Sequence, residues 1–126
     1  MIKENQIVID ELKINYKIAG EGKPLLILHG WIGSSNSWIE VQKILAKEGF
    51  KVICPDLPGF GKSQTPPIPW GNKEYCDFVL KFIEKLGLQQ INLMGHSFGG
   101  GLAIEFASSY PEKLKKLILC ASARIK

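Results

Sequence analysis

Gln90-Ile91-Asn92-Leu93-Met94-Gly95-His96-Ser97-Phe98-Gly99-Gly100-Gly101 is the stretch on which the fold turns. Gln90 to Met94 is a short apolar run of the kind that forms a buried strand, and Leu102, Phe106 and Tyr110 follow at helical spacing until Pro111 stops the segment. Between strand and helix lies G-x-S-x-G, Gly95 to Gly99. At ordinary Gly and Ser frequencies that bare pattern arises by chance in roughly 4 of 100 chains of this length, so the flanking strand and helix carry the weight. A sharp strand-to-helix turn holds the Ser97 hydroxyl free at the carboxyl edge of a sheet, and it needs neighbours without side chains. Gly95 and Gly99 supply the clearance; Gly100 and Gly101 extend it into the helix. The helix start also offers unpaired N–H groups to a developing oxyanion, Phe98 first. A second donor has to come from another loop at the same edge. His29-Gly30-Trp31, following an earlier apolar run, is placed to give the Trp31 N–H; a plain strand-ending turn is the alternative reading.

Outward from this stretch, three more continuous apolar runs read as strands buried on both faces of a parallel sheet: Leu25 to Leu28, Phe50 to Cys54 and Leu117 to Cys120. Two helices lie between them. Ser37 with Glu40 reads as a capping box for one that shares Trp38, Val41 and Leu45 on a face and ends at Gly49. The other runs from about Asn72 to Leu86, with Tyr75, Phe78, Val79, Phe82, Ile83 and Leu86 on one side and Gly87 after it. The first third alternates: Gln6 to Ile9 and Lys13 to Ile18 predict a half-buried antiparallel pair, closed by Gly20-Glu21-Gly22. The fold class that follows is α/β, a mostly parallel sheet of about six strands with the first two antiparallel, and three helices.

Composition narrows the function. With 126 residues, 45% hydrophobic and 22% charged, the chain is globular material for one core, and residues 1–126 are treated as a single unit. The longest apolar runs, Leu25 to Leu28 and Leu117 to Ala121, fall far short of the roughly 20 residues that span a bilayer. Met1 to Gln6 has no apolar core of a secretion signal, so a soluble, cytoplasmic protein is expected. Cys54, Cys76 and Cys120 form no C-x-x-C pair and read as reduced packing residues. The net charge of +4 is spread thinly; Lys113-Leu114-Lys115-Lys116 lacks the neighbouring aromatics that nucleic-acid binding asks for, and no nucleic-acid or membrane partner is expected.

Three motifs together resemble the α/β-hydrolase family: His29-Gly30-Trp31, Asp56-Leu57-Pro58-Gly59-Phe60-Gly61-Lys62-Ser63, and Gly95-His96-Ser97-Phe98-Gly99-Gly100, in the family's order and spacing over nearly the whole chain. The resemblance implies that Ser97 is the nucleophile and that the N–H groups of Trp31 and Phe98 form the oxyanion hole. It implies a serine hydrolase acting on an ester, thioester or similar small acyl substrate, with no metal or organic cofactor. Family members with Asp at the elbow, the haloalkane dehalogenases and epoxide hydrolases, are disfavoured because position 97 is Ser. Asp56 reads as a turn carboxylate accepting backbone N–H bonds in preference to a triad acid. His96 should leave the strand on the face opposite Ser97, and His29 matches a residue that supports the loop; neither reads as the base. Trp38 and Trp70 read as packing residues, with an acyl-pocket lining open to Trp31 and Phe98.

The family places its acid and catalytic His on later strands, so the expectation is an incomplete α/β-hydrolase fold lacking the lid and the last two strands. Without a base the chain alone should be inert, and Leu117 to Cys120 should form an exposed edge that pairs with a second chain or with itself. A split enzyme and a non-catalytic module binding a small acyl or aromatic ligand are the two other readings.

Overall fold

The structure, a computed structural model, describes residues 1–120. Residues 121–126 lie outside that description, and with them Ala121 and the tail of the 1–126 unit. Six strands form one sheet: β1 (Ile2–Ile9), β2 (Leu12–Ala19), β3 (Lys23–Leu28), β4 (Phe50–Pro55), β5 (Ile91–His96) and β6 (Leu114–Cys120), in the spatial order β1-β2-β4-β3-β5-β6. β1 with β2 and β2 with β4 are antiparallel, while β4, β3, β5 and β6 run parallel. Three helices, α1 (Ile39–Lys47), α2 (Asn72–Lys85) and α3 (Phe98–Ser109), follow β3, β4 and β5. The fold class read from the sequence is the one observed.

The apolar runs lie where two-sided burial requires them. Leu25 to Leu28 and Val52 to Cys54 are at most 2% exposed. Two cores form, one on each face of the sheet. The larger packs Tyr75, Phe78, Val79, Phe82 and Ile83 of α2 and Leu102, Ala103 and Phe106 of α3 over Leu26, Leu28, Ile53 and Leu93. The smaller sets Trp38, Val41 and Leu45 on Leu25, Ile27, Val52 and Cys54. β3 thus has α1 on one face and α3 on the other, and the chain leaves it toward β4 while β5 lies on its opposite side. This is the switch point of a parallel sheet, where a crevice opens beyond the strands' carboxyl ends. Leu28 of β3 registers with Gly95 of β5, which brings residues 29–31 beside residues 96–98.

Several details differ from expectation, among them β1, which begins at Ile2 and not Gln6. The β1–β2 hairpin turns at Asp10 and Glu11, both at positive φ (48° and 69°), and Gly20 to Gly22 instead joins β2 to β3. β2 is not half-buried: Asn15 and Lys17 are 2% and 6% exposed, because β2 is an interior strand whose neighbours and loops cover both faces. The Ser37–Glu40 capping box does not form. Ser34 caps instead, its hydroxyl accepting the Asn36 N–H at 3.2 Å to start a single 3₁₀ turn, Ser35–Trp38, before α1, and Glu40 pairs with Lys43 at the surface. β6 begins at Leu114 and not Leu117. Tyr110 is the residue after α3 and only half-buried, its hydroxyl donating to Asp77. Among the described residues no helix is long and apolar enough to cross a membrane.

Candidate functional site

Ser97 sits between the last residue of β5 and the first of α3 with φ 54° and ψ −117°. That backbone conformation costs an ordinary residue about 1–3 kcal/mol and persists only where surroundings impose it. Here the Ser97 carbonyl accepts the N–H groups of Gly100 (2.9 Å) and Gly101 (3.1 Å), and its own N–H donates to the Cys120 carbonyl at 3.3 Å. The two motif glycines are required by close approach. A Cβ on Gly95 would lie 2.4 Å from the Gly99 carbonyl oxygen, and one on Gly99 would lie 2.2 Å from that of Leu28. Strand and helix therefore meet backbone to backbone, and no hydrogen bond among the described residues engages the Ser97 hydroxyl.

The loop after β3 passes the turn at close van der Waals distance. A Cβ on Gly30 would lie 3.4 Å from Ser97 Cβ and 3.3 Å from His96 Cδ2. The Gly30 carbonyl is held by two donors, His29 Nδ1–H at 2.8 Å and the Gly33 N–H at 2.9 Å. That oxygen lies trans to the Trp31 N–H across one peptide plane, so the N–H points away from those two donors. The Phe98 N–H is the first of α3 and has no turn before it to bond. The Trp31 and Phe98 rings meet edge to face at 4.9 Å. A cleft of about 330 Å³ has Gly30, Trp31, Trp38, His96 and Ser97 in its wall.

His29 is fully buried, and each ring nitrogen is engaged: Nδ1 donates to Gly30, while Nε2 accepts the Leu57 N–H at 2.9 Å. This pattern needs the neutral imidazole, and burial lowers the His29 pKa, against the smaller opposing pulls of the Gly30 carbonyl and Asp56. His29 thus ties the loop after β3 to the loop after β4. His96 lies across the sheet from α3, its ring against Trp38 at 5.6 Å and Nδ1 on the Cys120 carbonyl at 3.0 Å. Neither ring bonds to Ser97 among the described residues.

Asp56 takes the turn role read from the sequence. Its carboxylate accepts the N–H groups of Ser35 (2.7 Å) and Lys62 (3.0 Å) and the Asn15 side-chain amide (3.1 Å). Gly61, at φ 52°, clears it: a Cβ there would be 2.5 Å from Asp56 Cγ. Burial alone would raise the Asp56 pKa, but these donors and the Ser35 hydroxyl together hold it below the usual value. Behind it lies a charged cluster that sequence reasoning missed. Glu4 is lowered to about 2, by the Asn15 amide first and then by Lys62 and Lys17. Lys17, 6% exposed, reaches the Ser35 hydroxyl at 2.7 Å. Alternation along β2 hides Asn15 and Lys17 as surface residues, and no spacing rule marks Glu4.

Residues 23–125 match the sequence profile of the family described as alpha/beta hydrolase fold. The chain belongs to the α/β hydrolase fold family. A proline iminopeptidase of Clostridium botulinum is 38% identical to it, across 96% of this chain and 44% of the relative. A soluble epoxide hydrolase of Corynebacterium sp. is 33% identical, across 94% of this chain and 41% of the relative. Among solved structures, a bacterial membrane phospholipase A superposes with a TM-score of 0.94 at 29% identity, across 99% of this chain and 41% of that one. The chain spans less than half the length of each of these relatives, all of them hydrolases.

Proposed function

We propose that the chain carries the nucleophile and oxyanion side of a serine hydrolase site acting on an ester, thioester or similar acyl substrate. The observation that carries this reading is Ser97 at φ 54°, held at a strand–helix junction beside the Gly30 backbone. In the reaction, Ser97 Oγ attacks the substrate carbonyl carbon, and the Trp31 and Phe98 N–H groups stabilise the oxyanion. A base takes the Ser97 proton and returns it to the leaving group, and water then releases the acyl group from Ser97. Both histidines are committed elsewhere, so base and acid reach the hydroxyl from polypeptide beyond the described residues or from a second chain. No cofactor enters these steps. A Ser at position 97 favours acyl transfer over the epoxide opening named for one relative.

A fluorophosphonate probe followed by mass spectrometry tests the reading, on the chain alone and with any candidate second half. A Ser97 adduct that forms slowly alone, faster in the complete assembly and never in Ser97→Ala is the expected result. Fast labelling of the isolated chain refutes its inertness, and no Ser97 adduct in any assembly overturns the nucleophile itself. Strand β6, with Leu117, Ile118 and Leu119 all 37–41% exposed, supports a strand-pairing partner, self or other.

A further inference from the structure

Two depressions share Trp31 in their walls. One is the cleft with Ser97 in its wall; the other, about 530 Å³, runs from Trp31 across Phe60 to Thr65–Trp70 and Tyr75. The Trp31 indole stands edge-on to Phe60 at 5.0 Å and to Phe98 at 4.9 Å, yet 59% of its surface is exposed, so two rings hold it and burial does not.

The larger depression has the chemistry of an apolar binding site. None of its lining residues is charged. The Tyr75 hydroxyl is already spent, donating to the Pro58 carbonyl at 2.9 Å. Pro66, Pro67 and Pro69 stiffen one wall by fixing φ, which lowers the ordering penalty when a ligand seats. Trp70 anchors the far end against Tyr75 at 5.1 Å. A volume of 530 Å³ lies within the about 300–1,000 Å³ of small-molecule sites. A charged group entering it would lose water and find no partner.

We propose that this trough is the subsite for an uncharged aromatic or branched apolar acyl group, and that the Trp31 side chain is the partition that selects between it and the cleft at Ser97. The same residue then aims a backbone donor at the reacting carbonyl and sorts what is attached to it. That the bound group is an acyl group rests on the serine hydrolase reading; that it is apolar and uncharged rests on the trough.

Binding of phenylacetamide, which is neutral and not readily hydrolysed, to the ¹⁵N-labelled chain tests the proposal. The three indole N–H resonances, assigned with Trp→Phe variants, report position. Trp31 and Trp70 shift while Trp38, in the Ser97 cleft, stays; acetamide moves none of them. Phenylacetate binds about tenfold more weakly for want of a partner charge. Trp31→Ala and Ile68→Asp each raise the dissociation constant about tenfold, and Trp31→Phe recovers part of the loss. Shifts confined to Trp38, no shifts, or unchanged affinity in a folded Trp31→Ala overturn the subsite. The binding readout involves no covalent step at Ser97. Failure here therefore leaves the nucleophile standing, and failure of fluorophosphonate labelling leaves the subsite standing.

Discussion

At the scale of single residues, the site spends stability on geometry. Ser97 holds a conformation that glycine adopts freely, so Ser97→Gly should raise stability by about 1 kcal/mol after the extra unfolded-state entropy of glycine is subtracted. The same change removes the hydroxyl and abolishes labelling. Urea unfolding of the two proteins checks this; a less stable Ser97→Gly would show that the strain in the turn is smaller than the unfolded-state entropy glycine adds. His29 gives a pH signature. Its folded pKa lies below the 6.5 of an exposed imidazole, so between the two values the unfolded chain binds the extra proton. The His29 contribution is therefore complete above about 6.5 and is lost as pH falls below it, by at most about 1.4 kcal/mol per pH unit. Glu4 and Asp56 act lower, below their ordinary values of 4.5 and 3.8. Unfolding free energies between pH 7 and 5 should thus decline in the parent and flatten in His29→Gln, and equal slopes would remove His29 from the account. The glycines around Ser97 were legible because close approach leaves a mark in the residue type itself. Glu4, Asn15 and Lys17 were not, because their partners Asp56, Lys62 and Ser35 lie 18 to 58 positions away and nothing local signals the pairing.

At the scale of elements, burial on two faces decided what could be read. Parallel strands β3, β4 and β5 announce themselves as unbroken apolar runs, and α2 by its stripe, since each pattern reflects one environment along its length. β2 mixes environments. It lies between β1 and β4, and its polar side chains find partners far along the chain, Asn15 on Glu4 and Asp56, and Lys17 on Ser35, so local alternation gave the right element and the wrong exposure. Turns were read least well where side chains do not suit them. Asp10 and Glu11 both have positive φ, the signature of a two-residue hairpin turn that prefers Asn-Gly, and only Asp10 hints at it. Asp10 also pairs with Lys81 of α2, tying the hairpin to the larger core. Glu11→Gly keeps that pair and relieves the turn, and it should stabilise the fold by about 0.5–1 kcal/mol in thermal or denaturant unfolding. A destabilised Glu11→Gly would mean that unfolded-state entropy outweighs the strain.

At the scale of the molecule, the sheet has two unlike edges. β1 presents Lys3, Glu4, Asn5 and Gln6, charged and polar, and is a poor template for another chain. β6 presents Leu117, Ile118 and Leu119 and is hydrogen-bonded on one side only among the described residues. This edge also reaches the site, since the Cys120 carbonyl accepts from both the Ser97 N–H and His96 Nδ1. The last residue of β6 thus helps to hold the strained turn at Ser97. For the 126-residue chain the expected outcome is reversible, concentration-dependent self-association in sedimentation velocity, with the two β6 edges meeting about a two-fold axis. Ile118→Lys puts an ammonium into that edge and should shift the equilibrium toward monomer while circular dichroism stays unchanged. A parent chain that sediments as a monomer at every concentration would rule the contact out, and an Ile118→Lys variant that associates equally well would place it away from β6.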